Sequence, residues 1–234
     1  MAHEVRNYDD FINILLDAGF TMGGGNNEGI FAIVNRGWDQ EPLPDSPIRW
    51  HTGDPETDPW EWINRVLDDR TDIIYGKLFF KKSGYITTEW MPYFLAARRG
   101  GMSFDETYEM GTISHFAKRI YEVVVSHSDI PVEEIKRLGG FMRDDKSGFD
   151  RAMVELQMKM FILPCGRRFK ISNAGEQYGW SSTVFCTAEK RIGEDAFNHA
   201  TDIDSVGAID KISQQVLKLN PLAEEKKIKK FILG

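Results

Sequence analysis

Thr112-Ile113-Ser114-His115-Phe116-Ala117-Lys118-Arg119-Ile120-Tyr121-Glu122-Val123-Val124-Val125-Ser126 places Ile113, Phe116, Ala117, Ile120, Val123 and Val124 at the spacing of one helix face. Ile130-Pro131 breaks that pattern. Pro131 to Leu138 then reads as a second helix, with Ile135 and Leu138 inward and Gly139-Gly140 as its stop. Lys146 to about Met160 is a third, with Phe149, Met153, Leu156 and Met160 along one side. Phe161-Ile162-Leu163-Pro164 and Phe169-Lys170-Ile171 are extended, Asn173-Ala174-Gly175-Glu176 turns the chain, and Trp180 to Thr187 alternates as a strand. Helix, turn, helix, helix and hairpin is the order of a winged helix-turn-helix, and the stretch predicts such a unit over 112–190.

Outward from this stretch, Ser103-Phe104-Asp105-Glu106 has the residues of a capping box and opens a short helix to about Glu109. Before it, Tyr93, Phe94, Leu95 and Ala97 lie in a helix that ends at Arg98-Arg99-Gly100-Gly101, basic residues followed by glycine. Gly84-Tyr85-Ile86-Thr87 is a short extended piece, while Asp72 to Phe80 is equally compatible with strand and helix. Asn7-Tyr8-Asp9-Asp10 starts a helix that Gly19 ends. Gly23-Gly24-Gly25 lacks both the Lys-Ser/Thr of a phosphate-binding loop and the GxGxxG spacing, and is read as a turn. Ser205 to Asn220 and the residues after Pro221 form two C-terminal helices. The expected architecture is α+β and mostly α. An N-terminal helical region (1–111) carries an acidic-aromatic loop, the winged-helix unit (112–190) packs against it, and C-terminal helices (191–234) pack on the same body.

Composition narrows the function classes. Of 234 residues, 41% are hydrophobic and 28% charged, enough apolar surface for a buried core. No run approaches the roughly 18 apolar residues that span a bilayer, and the opening residues lack the apolar region of a secretion signal. A cytoplasmic protein with no membrane partner is expected. Cys165 and Cys186 have no CxxC spacing, so they are read as reduced thiols facing each other across the hairpin; no metal and no cofactor is called for. No histidine pair has HxxxH or HExxH spacing, and GxSxG is absent. The net charge of −7 conceals an asymmetry: residues 1–72 hold 15 acids against 5 Lys/Arg, residues 136–170 hold 9 Lys/Arg against 4 acids. One end repels phosphate and the middle tolerates it.

Two groups of residues could carry chemistry. The third helix of the winged unit would offer Lys146, Arg151 and Lys159 to a groove, with Arg143 just before it and Arg167, Arg168 and Lys170 on the wing. The other group is Trp50-His51-Thr52-Gly53-Asp54-Pro55-Glu56-Thr57-Asp58-Pro59-Trp60-Glu61-Trp62, where two prolines stiffen a loop crowded with acids and indoles. Base excision needs a carboxylate near the sugar and an aromatic surface for the unstacked base. Asp54, Glu56, Asp58 and His51 are the candidate acid–base groups, and Trp50, Trp60 and Trp62 the candidate stacking surfaces. A competing expectation is structural: Asp58 caps the helix that begins at Pro59, and the tryptophans are core.

The Trp50-to-Trp62 stretch, Tyr75-Gly76-Lys77-Leu78-Phe79, Gly84-Tyr85-Ile86 with Pro92, and Leu156-Gln157-Met158 followed by Gly179-Trp180 resemble the AlkZ-related bacterial proteins. These are distant relatives of the AlkZ-type winged-helix DNA glycosylases. The resemblance covers most of the chain and implies the winged-helix architecture and a connection to DNA. The glycosylases position their attacking water with Gln-x-Asp or Gln-x-Gln. None of Gln40, Gln157, Gln177, Gln214 or Gln215 has that spacing, so no catalytic residue carries over. The expected function is a nucleic-acid-binding, DNA-glycosylase-like protein with DNA as partner. Two alternatives stay open: a non-enzymatic winged-helix module for DNA or protein, and a small-molecule-binding or hydrolytic enzyme using His51 and the nearby acids.

Overall fold

The computed structural model describes residues 5–172 and 175–234. The opening residues 1–4 and the turn residues Asn173 and Ala174 lie outside the described set. The chain is mixed α+β with small antiparallel sheets, and it divides into two units, one of Met1–Gly101 with Asp195–Gly234, the other of Met102–Glu194.

The first unit begins with α1 (Tyr8–Ala18), capped by the Asn7 side chain and closed by Gly19 in the left-handed region. Only glycine fits there, because a Cβ would come within 2.2 Å of the Trp90 indole. Next come β1 (Phe20–Met22), α2 (Pro59–Asp69), β2 (Ile73–Phe79), β3 (Lys82–Thr87) and α3 (Met91–Arg99). The sheet order is β1-β3-β2, all antiparallel, with Phe20 opposite Ile86 and Tyr75 opposite Tyr85. The ambiguity over 72–80 is resolved as strand, because both faces of β2 find partners: Ile73, Ile74, Leu78 and Phe79 are all fully buried. Phe11, Trp62, Val66 and Tyr85 form the centre of one core, in which Phe11 and Trp62 stack at 5.0 Å.

The second unit holds α4 (Phe104–Glu109), α5 (His115–His127), β4 (Ile130–Pro131), α6 (Val132–Leu138), a 3-10 turn (Arg143–Asp145), α7 (Lys146–Met158), β5 (Ile162–Ile171), β6 (Gln177–Thr187) and α8 (Ala188–Ile192). The capping box at Ser103 and Glu106 is formed as expected. Ala117, Ile120 and Val124 of α5 meet Phe149, Ala152 and Leu156 of α7 in one apolar cluster, which also holds Ile135 and Phe185. β5 is a single long strand rather than two extended pieces, and β6 starts earlier than expected, at Gln177; the ladder from Ile162↔Thr187 to Ile171↔Gln177 joins them, with two bulges. β4 pairs with the far side of β6, giving the order β4-β6-β5.

The chain then returns to the first unit through α9 (Glu194–Asp202), α10 (Ser205–Leu219) and α11 (Glu225–Leu233). α10 and α11 pack on α3. Phe231 stacks on Phe79 at 4.0 Å and meets Phe20 and Phe94 edgewise or tilted. Such ring pairs add about 0.5–1.5 kcal/mol beyond their buried area. Arg98 donates to the carbonyls of Phe231 and Ile232, placing a cation at the C-terminal end of α11, where the helix dipole favours it.

Candidate functional site

The 50–62 loop is organised by one side chain. Asp58 is fully buried, and its carboxylate accepts four amides: His51 (3.1 Å) and Trp60 (2.9 Å) on Oδ1, Thr52 (2.7 Å) and Gly53 (2.9 Å) on Oδ2. The expected cap on α2 is therefore formed, and the same anion folds the preceding turn around itself, with His51 and Gly53 both at positive φ. Asp54 faces solvent. Its Oδ1 accepts the Glu56 amide at 2.9 Å and its Oδ2 the Thr57 hydroxyl at 2.7 Å. Those bonds, the amide first, hold its carboxyl below its ordinary pKa of 3.8. Glu56 pairs with Arg65 at 2.9 Å, and Arg65 lies over the Tyr8 ring at 3.6 Å.

The three indoles have separate fates. Trp62 is 1% exposed, packed in the core with Nε1 donating to the Glu56 carbonyl, so neither face is open. Trp50 and Trp60 flank the exposed His51, at 6.2 and 5.5 Å between ring centroids. Beside Trp50 lies a cavity of about 460 Å³, whose wall includes Arg36, Trp38, Gln40, Arg49, Trp50 and Thr52 over an apolar floor containing Ile33 and Ile48. None of Asp54, Glu56, Asp58 or His51 lines it.

In the second unit, Arg143 in the 3-10 turn and Lys146 and Arg151 on α7 are exposed, while Lys159 at the α7 C-terminus is half-buried. Arg168 pairs with Glu134 at 3.5 Å and donates to the Asp129 carbonyl at 2.9 Å. Arg167 lies 5.6 Å from the Phe169 ring. Lys170 is exposed opposite Tyr178. Around it are residues not singled out from the sequence as site residues: Ile171 (59% exposed), Tyr178 (53%) and Trp180 (87%). Their signal was available, because a large apolar side chain in a strand that has run past its buried segment has no core to enter. Nearer the base of the hairpin, Cys165 and Cys186 face each other as expected, and their sulfurs lie within 4.8 Å of one another and of an Asp129 oxygen. These three could contact one cation, although Lys190 already holds Asp129 at 2.5 Å. The hydrogen bond to Cys186, then burial, pushes the Cys165 thiol up and keeps it protonated.

The sequence model of the AlkZ-related family matches residues 5–233, and the chain belongs to that family. No curated protein and no solved structure matches it. Among the described residues, no helix is long and apolar enough to cross a membrane.

Proposed function

We propose that this AlkZ-related protein is a DNA-binding, DNA-glycosylase-like protein whose Met102–Glu194 unit works as a winged helix. The observation that carries the reading is connectivity. α5, β4, α6, α7 and the β5–β6 hairpin follow one another as a winged helix-turn-helix does, and β4 completes the sheet on β6. In that reading α7 enters the major groove with Arg151 and Lys146, Arg143 meets phosphate beside it, and the hairpin is the wing. Lys170 supplies charge there, and Tyr178 and Trp180 supply flat faces for bases or sugars. Acids at 144, 145 and 150 dilute this field, so binding is weak and steeply salt-dependent.

Base excision would draw on the loop of the other unit. Asp54 and Glu56 are exposed carboxylates, and His51 stands between two indoles. Asp58, saturated by four amides, serves as their organiser. A second reading, a binding module without chemistry, draws support from the same four bonds, from the buried Trp62 and from the absence of the glycosylase glutamine motif.

Fluorescence anisotropy with labelled duplex over a salt series tests the binding. Arg143→Ala, Lys146→Ala and Arg151→Ala together should lower the slope of log K against log salt by up to about 3 units. No binding at low salt, or an unchanged slope, rejects the basic face. Incubation with oligonucleotides carrying alkylated bases, scored for abasic sites, then separates the enzyme from the module: excision abolished by Asp54→Asn with Glu56→Gln supports the first.

A further inference from the structure

The cavity beside Trp50 has a composition that the surrounding sequence does not predict. Residues 1–72 carry three acids for every base, yet among the described residues no Asp or Glu lines the cavity, while two of the five basic residues of that stretch, Arg36 and Arg49, do. Neither guanidinium has a carboxylate partner among the described residues. Arg49 is held by the carbonyls of Ser46 (2.5 Å) and Ile48 (2.8 Å), which aim the group without neutralising it. Arg36 is exposed, and its backbone carbonyl accepts the Trp50 indole N–H at 3.0 Å. Trp50 is thereby fixed. It is also pressed against Gly24, where a Cβ would come within 2.6 Å of the ring and where φ is +155°. Trp38, 71% exposed at the mouth, adds a second indole, and Gln40 is locked by its bond to the Gly37 amide at 2.9 Å. A volume of about 460 Å³ suits a ligand of small-molecule size.

We infer that this cavity binds a small organic anion with a flat aromatic body, its oxyanion on Arg36 and Arg49 and its ring against Trp50 and Trp38. Two guanidiniums that no described carboxylate neutralises select for carboxylate or phosphate oxygens. An immobilised indole on an apolar floor selects for a planar ring. A nucleoside monophosphate and an aryl carboxylate both have this chemistry. The site does not depend on DNA binding, and nothing in it requires the second unit.

Calorimetry with the full chain decides the matter, using adenosine monophosphate, indole-3-acetate, adenosine and inorganic phosphate as separate probes. At least one of the two aromatic anions should bind one-to-one, with adenosine and inorganic phosphate each about tenfold weaker or worse, since each lacks one half of the recognition. Which anion binds tells the two sources apart. Arg36→Ala, at an exposed position whose side chain bonds no described residue, should weaken binding about tenfold, as should Trp38→Ala. Arg49→Lys keeps the charge and should lose less than Arg49→Met. Failure of both aromatic anions to bind overturns the inference. So does binding that is unchanged in Arg36→Ala and Trp38→Ala, or inorganic phosphate binding as tightly as the aromatic anions. Loss of duplex binding in the anisotropy assay leaves this result untouched, because the two experiments probe different residues.

Discussion

The loop from Trp50 to Asp58 and the β5–β6 hairpin both gather aromatics and charge around a tight turn, and they use them oppositely. In the loop, polar groups satisfy one another: Asp58 takes four amides, Asp54 takes an amide and a hydroxyl, Glu56 takes Arg65 and the Trp62 indole donates to a carbonyl. At the outer end of the hairpin, Lys170, Ile171, Tyr178 and Trp180 are displayed to water. A carboxylate saturated by four amides in a buried site is committed to the fold, since removing it takes the acceptor from all four donors at once. An exposed tryptophan on a hairpin is free to serve a partner. Density of chemically capable residues is thus a poor guide to function until their hydrogen bonds are assigned.

That contrast is most directly broken at Asp58. Asp58→Ala removes the cap of α2 and leaves the amides of His51, Thr52 and Gly53 without an acceptor, so it should lower unfolding free energy by about 3–5 kcal/mol in denaturant titration. Capping alone would account for only about 1 kcal/mol. A loss no greater than that would show that the turn stands without its anion, and would make Asp58 available for chemistry again.

The opposite result is expected on the hairpin. Trp180→Ala with Tyr178→Ala should change stability by less than about 0.5 kcal/mol, while single-strand or duplex affinity falls by roughly 1–3 kcal/mol for each base or sugar that no longer has a ring to stack on. Anisotropy and denaturant titration on the same preparation would check both halves. A large stability loss with unchanged affinity would make the outer hairpin structural and erase the distinction between the two regions.

The smallest effect concerns Asp54. The Glu56 amide and the Thr57 hydroxyl lower its pKa in the folded chain. Its contribution to stability is therefore complete above the ordinary value of 3.8 and disappears as pH falls through the lower folded value. The stability difference between wild type and Asp54→Asn should be present at neutral pH and close in strong acid, read from thermal unfolding over a pH series. A difference that persists unchanged in acid would mean that the carboxylate charge does not hold the turn.

Much of the fold is legible where the cause is local. The α1 boundaries, the Asp58 cap, the Ser103 capping box and the order of helices and hairpin from 112 to 187 follow from residues within four positions of each other or from a regular apolar period. The three-residue β1 has no periodic signal of its own; it exists because β3, more than sixty residues later, supplies Ile86, Tyr85 and Gly84 as partners. The loop is legible as unusual, yet its residue types are the same for a site as for a capped turn.

The amino-acid sequence by itself determined most of the helices, the Asp58 and Ser103 caps, the strand over 180–187, the charge asymmetry and the family, since each is a property of neighbouring residues or of the pattern as a whole. Tertiary structure alone decided that Trp62 is core while Trp50 is a cavity wall, that Asp58 has no oxygen to spare, that Arg36 and Arg49 share a cavity that no described acid lines, and that β4 joins β6. Burial, hydrogen-bond saturation and the absence of a counter-charge depend on which distant segments come to lie beside a residue, and no local pattern carries that information.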